Sequence, residues 1–265
     1  VTAILNKGEI SGFVASKGDH FFGGKWVKKL EKEFKKRFNS KYAVAFNSAT
    51  SGIYAMLMAC NIEPGDEVIT SPYTMHATAS SILQCNAIPI FADIEEDTFG
   101  IDPQEVKKKI NNRTKGILAV NIFGHGCKLD QLKKIAKKNK LFLLEDNSQA
   151  PGAVYKNKLT GGYGDAAVYS LNRHKTIQCG EGGVVTTNNK KIYQKLCLVR
   201  NHGEAVVASY NIKDIVNTIG QNLRLTEIQA AIGYYQVKKL KKLNINRIKK
   251  ANFISNEFKN INAIT

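Results

Sequence analysis

Apolar residues recur along this chain with two different periods, and the switches between them mark out its elements. Trp26, Leu30, Phe34 and Phe38 return every four positions, which predicts an amphipathic helix over residues 25–38. Tyr42-Ala43-Val44-Ala45-Phe46 is a short apolar run and predicts a buried strand. The small-residue loop Asn47-Ser48-Ala49-Thr50-Ser51-Gly52 follows, and then an apolar helix over residues 53–60. Further strands are predicted at residues 67–70, 88–93, 116–120 and 141–144. Helices separate them at residues 77–83, 103–110 and 129–138, the second capped by Asp102. Two more apolar runs, residues 166–169 and 184–187, read as strands flanking a connection that carries Lys175. The chain then turns helical and polar, at residues 189–200, 226–233 and 236–258.

Apolar strands separated by helices of about ten residues predict an α/β fold, with a mainly parallel sheet covered on both faces. Ligands of such sheets bind beyond the carboxyl ends of the strands. Residues 48–51, 71–78 and 146–149 all follow strand ends, so they could share one crevice.

Composition narrows the classes. At 265 residues, 43% hydrophobic and 23% charged, the chain is ordinary for a globular protein with a sizeable core. No apolar run approaches the roughly 20 residues that cross a bilayer, so no membrane partner is expected. The start lacks the basic-then-apolar pattern of a signal peptide and an initiating methionine, and a missing N-terminal piece is expected. The net charge of +17 raises nucleic acid as a partner, but only six of 39 basic residues are arginine. The lysines alternate with apolar positions on helices, as on solvated faces, so no nucleic acid is expected and an anionic small molecule fits equally well. The five cysteines are scattered and never spaced Cys-x-x-Cys, which indicates neither a disulfide framework nor a metal site. A cytoplasmic location is expected.

Three features carry candidate chemistry. Lys175 stands five residues before the turn Gly180-Glu181-Gly182-Gly183, on a connection between buried strands. A lysine beside packed sheet loses its proton more easily than one in water, as a Schiff base requires, although a plain surface lysine has the same spacing. The loop of residues 47–52 offers helix N-terminal amides to a phosphate, or its Ser and Thr simply cap the helix. Asp146, just past a buried strand, needs a cationic partner such as a pyridinium nitrogen, unless it caps the next segment or pairs with a lysine. In this order the three describe a pyridoxal phosphate pocket.

The chain resembles the nucleotide-sugar aminotransferases of the DegT type, which have the aspartate aminotransferase architecture (PLP transferase fold type I). The resemblance runs over nearly the whole chain. It is carried by Asn47-Ser48-Ala49-Thr50, Glu63-Pro64-Gly65-Asp66-Glu67-Val68-Ile69, Glu145-Asp146-Asn147-Ser148-Gln149-Ala150, Ser170 with Lys175, and Gly180-Glu181-Gly182-Gly183. Arg200-Asn201-His202-Gly203 and Asn222-Leu223-Arg224-Leu225-Thr226-Glu227 continue it.

That resemblance implies a PLP-dependent transferase of polysaccharide biosynthesis. It would move an amino group, with glutamate as donor, onto a keto sugar linked to a nucleoside diphosphate. Lys175 is then the Schiff-base lysine and proton carrier, and Asp146 holds the pyridine nitrogen protonated. Gln149 lies near the ring hydroxyl. Ala49, Thr50 and Ser170 bind the phosphate, and Asn222 reaches the phosphate of the neighbouring subunit in a homodimer. The aromatic residue that stacks on the ring aligns with Met75, and Tyr73 or His76 could substitute. Pro151 stands where a histidine is frequent. A branch of the family has histidine in place of the lysine and dehydrates its sugar. Here the spacing to Gly180 puts Lys175 rather than His174 at that position, which favours amino transfer. A same-fold sugar dehydratase, or a non-catalytic regulator or binding module, are the alternatives. The expected organisation is a PLP-binding large domain over residues 1–235. Residues 236–265 form a helix leading into a C-terminal small domain that is largely missing, so activity of this chain by itself is open.

Overall fold

Val44 and Phe46 of the strand β1 (Tyr42–Phe46) pack into one apolar core, while Ala43 and Ala45 pack into another. The same alternation recurs in β4 (Thr114–Val120), β5 (Phe142–Asp146) and β8 (Ala166–Ser170). Leu118, Leu144 and Val168 face the first core, and their sequence neighbours face away from it. Side chains alternate across a strand, so continuous apolar runs require cover on both faces of a sheet. The computed structural model describes residues 1–203 and 219–259 and shows that arrangement.

The sheet has seven strands in the order β1-β9-β8-β5-β4-β2-β3, with β2 (Glu67–Thr70), β3 (Ile88–Phe91) and β9 (Gly183–Thr187) completing it. Six run in one direction and β9 alone opposes them. The periodicity predicts the parallel strands; the reversal of β9 comes from the loop that carries Lys175. A separate two-stranded hairpin pairs β6 (Val154–Tyr155) with β7 (Lys158–Leu159).

On the face of the first core lie α3 (Ala49–Ala59), α4 (Ala77–Gln84) and α7 (Lys190–Arg200). The opposite face is covered by α2 (Lys25–Arg37), α6 (Leu129–Lys138) and the first half of α8 (Glu227–Phe258). Two shorter helices, α1 (Thr2–Lys7) and α5 (Pro103–Lys109), complete the set, and the Asp102 carboxylate caps α5 through the Gln104 amide at 2.7 Å. The last helix is one element where the sequence pattern predicts two. Gly233 lies within it, packed against Leu171 and Leu30. No described helix is long and apolar enough to cross a membrane.

Distant segments are tied by buried charge. The guanidinium of Arg200, fully buried, donates to Glu31 Oε1 at 2.6 Å and to the Ala45 carbonyl at 3.2 Å. Asn201 Nδ2 donates to the carbonyls of Val14 and Phe21, which fastens the N-terminal stretch to the end of α7.

Candidate active site

The strand register brings the candidate residues to one edge. Phe46 and Ser170 both pair with Gly183, and Asp146 pairs with Val120 and Val168 two residues short of Ser170. Asp146 lies two residues beyond Leu144, and Ser170 two beyond Val168. Alternation therefore turns both toward the face that carries α3.

The turn after β1 fixes the start of α3. Ser48 Oγ accepts the Ser51 amide at 3.0 Å, and the Ser48 carbonyl accepts the Gly52 amide at 3.1 Å. The amides of Ala49 and Thr50 have no acceptor among the described residues, so two donors face outward at the positive end of a helix. Capping and anion binding are thus both open to this loop, with Ser48 as the cap. Gly183 closes the turn from below. A Cβ there would lie 2.6 Å from Ala49 N and from the carbonyl carbon and oxygen of Ser48. Only glycine admits that approach.

Asp146 is 7% exposed. Its Oδ1 accepts the Ser148 amide at 2.9 Å, and no ion pair reaches it among the described residues. Burial raises its pKa above the usual carboxylate value, opposed by the Ser148 hydrogen bonds and the positive charge of Lys175. Glu145, on the opposite face of β5, meets a different fate. It accepts the amides of Gly161, Tyr163 and Gly164 at 2.6, 2.8 and 2.7 Å, and Asn121 Nδ2 at 3.3 Å. One carboxylate is satisfied by the fold; the other is buried and short of a cation.

Lys175 rides on the loop between β8 and β9. Leu171 donates to the Gly182 carbonyl at 2.8 Å, and Cys179 donates to the Leu171 carbonyl at 2.8 Å, which cinches the loop at its base. The buried side chains of Leu171, Ile177 and Cys179 anchor it. Lys175 itself is half-buried, and its amide donates to the Asn172 carbonyl at 2.9 Å. His174 is exposed. Ser170 Oγ is buried and accepts the Asn172 amide at 3.3 Å.

Gln149 Oε1 accepts the amide of Phe123 at 2.9 Å. Met75 is exposed just before α4, as is His76 at the start of that helix. The Tyr73 ring packs against Phe99 and Phe123, with centroids 5.8 and 6.0 Å away. Asn222 is exposed, and its Oδ1 accepts from Arg224 Nε at 2.8 Å rather than meeting the other candidates. Its backbone bridges Asn201, and the next carbonyl, of Leu223, accepts the Asn47 amide at 2.9 Å. Asn222 thus projects outward from a segment lying beside the α3 turn.

Sequence reading missed the roles of three residues of this edge. Asn121, fully buried after β4, donates to both Glu145 and Asn147, the latter at 2.6 Å. Its signal was an amide directly after a buried strand. Gly183 was named in the Gly180-Glu181-Gly182-Gly183 turn but not for its close approach to Ser48 and Ala49, and Phe123 gave no signal, since a left-handed φ of 54° is invisible in sequence. The fit to a pyridinium phosphate rests on this chain's own atoms: a buried carboxylate without an ion pair among the described residues, and two helix amides without an acceptor there. No cluster of metal-ligating side chains occurs among the described residues.

Comparison with known proteins identifies the family and the fold. The model of the DegT/DnrJ/EryC1/StrS aminotransferase family matches residues 13–265. GDP-perosamine synthase of Escherichia coli O157:H7 is 35% identical over 228 residues, covering 86% of this chain and 60% of that protein. Among solved structures, the Helicobacter pylori aminotransferase PseC, involved in pseudoaminic acid biosynthesis, superposes with a TM-score of 0.86 at 32% identity. That match covers 98% of this chain and 67% of the other. NtdA of Bacillus subtilis, solved with bound cofactor PMP, gives 0.85 at 29% identity, covering 98% of this chain and 57% of NtdA. The fold is that of the PLP fold type I transferases. The chain spans 57–66% of the length of the curated relatives it matches first. It belongs to the DegT/DnrJ/EryC1/StrS aminotransferase family.

Proposed function

We propose that this member of the family is the cofactor-binding part of a PLP-dependent aminotransferase acting on a keto sugar carried by a nucleoside diphosphate, with glutamate as amino donor. What supports the reading is that Asp146 and Ser170 lie at neighbouring strand ends, that Gly183 packs the α3 turn against Ser170, and that Lys175 lies on the loop between Ser170 and Gly183. When bound, the cofactor supplies an electron sink that acidifies the α-hydrogen of the amino donor.

The chain's own groups divide the remaining work. Ala49 and Thr50 donate backbone amides to the phosphate, joined by the hydroxyls of Thr50 and Ser170. Asp146 would take the ring nitrogen as the cation its burial demands and keep that nitrogen protonated. Gln149, whose Oε1 accepts the Phe123 amide, would face the ring hydroxyl. Lys175 would hold the cofactor covalently and move a proton at the donor Cα. Met75 is open to pack on the ring through its thioether, whereas Tyr73 is engaged with two phenyl rings. Asn222, exposed beside the α3 turn, serves the phosphate of the other subunit in a homodimer. The organisation is a large domain over residues 1–235, with residues 236–265 leading toward a small domain, in a cytoplasmic enzyme.

Borohydride reduction of the full-length holoenzyme followed by peptide mass analysis tests this. The cofactor is expected on Lys175, and Lys175→Ala is expected to end amino transfer from glutamate while leaving the fold intact. Label on another residue, or a folded protein that takes up no cofactor, would refute the assignment.

A further inference from the structure

At the same sheet edge, three exposed rings form a cluster that the proposed chemistry leaves unused. Tyr73 follows β2, Phe99 lies between β3 and α5, and Phe123 follows β4, with centroids 5.8, 6.0 and 6.2 Å apart. They remain 45%, 45% and 66% exposed, although aromatic residues in contact would ordinarily be buried. Phe99 and Phe123 also hold left-handed backbones, with φ of 55° and 54°, a conformation rarely adopted by bulky residues.

Both strained positions are braced. The Phe99 amide donates to the Glu95 carbonyl at 3.0 Å, and the Glu95 amide in turn donates to the Gly100 carbonyl at 2.8 Å. An Ile94–Ile101 bridge closes this tight loop, and Lys128 pairs with the buried Glu95 carboxylate at 2.6 Å. Phe123 is braced by Gln149, three residues beyond Asp146. The backbones that carry two of the rings are therefore held in place, and the cluster is continuous with the candidate site through the Phe123–Gln149 bond. A preorganised aromatic surface loses little entropy on stacking.

We propose that Tyr73, Phe99 and Phe123 form a stacking platform for the flat heteroaromatic base of the nucleoside diphosphate that carries the sugar. This rests on the reading of the substrate as a nucleotide sugar. The platform faces a base through ring surface alone, so it supplies affinity for the base without distinguishing one base from another by hydrogen bonding.

The test titrates the full-length holoenzyme with GDP, UDP, dTDP and inorganic pyrophosphate by calorimetry. Phe99→Gly and Phe123→Gly remove one ring each while relieving the left-handed backbone, so neither depends on tolerating new strain. Nucleotides are expected to bind tighter than pyrophosphate, and each variant is expected to lose about tenfold in nucleotide affinity with pyrophosphate unchanged. Equal loss for pyrophosphate and nucleotides would overturn the platform, as would unchanged nucleotide affinity in both variants. Dissociation of the oligomer on size exclusion would also overturn it and assign the rings to a subunit contact. Borohydride trapping on Lys175, run in parallel on the wild type, separates the two readings. Trapping without a nucleotide preference sinks only the platform; absence of trapping sinks the aminotransferase assignment.

Discussion

The carboxylate of Glu227 accepts the amides of Trp26 at 2.7 Å and Val27 at 3.2 Å, so the first residue of α8 caps the start of α2 from 201 positions away. Its own amide donates to the Ile10 carbonyl at 2.9 Å. One buried side chain thus sets the two helices that cover the face of the sheet opposite α3. Glu227→Ala is expected to cost about 3 kcal/mol, because it strands two donors and removes an anion from a helix N-terminus. Chemical denaturation at equal slope reads the loss directly.

Arg200 and Glu31 behave as a unit. Burial raises the Glu31 pKa from its usual 4.5, and the Arg200 charge opposes the rise. Arg200→Met should destabilise by about 3–5 kcal/mol at neutral pH, since it leaves a carboxylate buried without its cation. The sign of the pH dependence follows from the raised folded value. Glu31 contributes stability that is complete below its unfolded pKa and is lost as pH rises through the folded one. The deficit of the variant should therefore shrink as pH falls from 7 toward 4, as measured by urea midpoints across that range.

Asp146 should show stability and function pulling apart. Its pKa is raised by burial, so in cofactor-free protein the carboxylate destabilises the fold as pH rises through the folded value. Asp146→Asn keeps an acceptor for the Ser148 amide and removes the buried charge. The cofactor-free variant is expected to be at least as stable as wild type at pH 7, and its amino transfer to fall by about a hundredfold or more. Thermal melts and turnover on the same preparations check both halves.

Gly183→Ala forces a methyl to 2.6 Å from the backbone of Ser48 and Ala49. Backbone cannot swing aside as a side chain does, so the start of α3 must shift. A stability loss of about 1–3 kcal/mol is expected, with weakened cofactor retention, measurable by dialysis and absorbance.

Phosphate competition should locate the anion site. Inorganic phosphate is expected to slow cofactor uptake by cofactor-free protein, and Ser48→Ala should weaken both, because the cap holds the two free amides in place. Uptake rates at several phosphate concentrations give the answer.

The order of elements, the covering of both sheet faces and the family were legible in the sequence. They depend on local quantities: the spacing of Leu30, Phe34 and Phe38, the apolar runs of the strands, and motifs such as Glu145-Asp146-Asn147-Ser148-Gln149. Candidate residues Lys175 and Asp146 were legible for the same reason, as chemistry placed at predicted strand ends. Tertiary structure alone decided which way β9 runs, that Glu145 is satisfied by three amides while Asp146 lacks a cation, and that Tyr73 meets Phe99 and Phe123. It also decided that α8 continues through Gly233. The division has one physical cause. Periodicity and propensity act over a few residues, whereas register, burial of charge and close backbone approach are set between segments that may stand 200 positions apart, as Glu227 and Trp26 do.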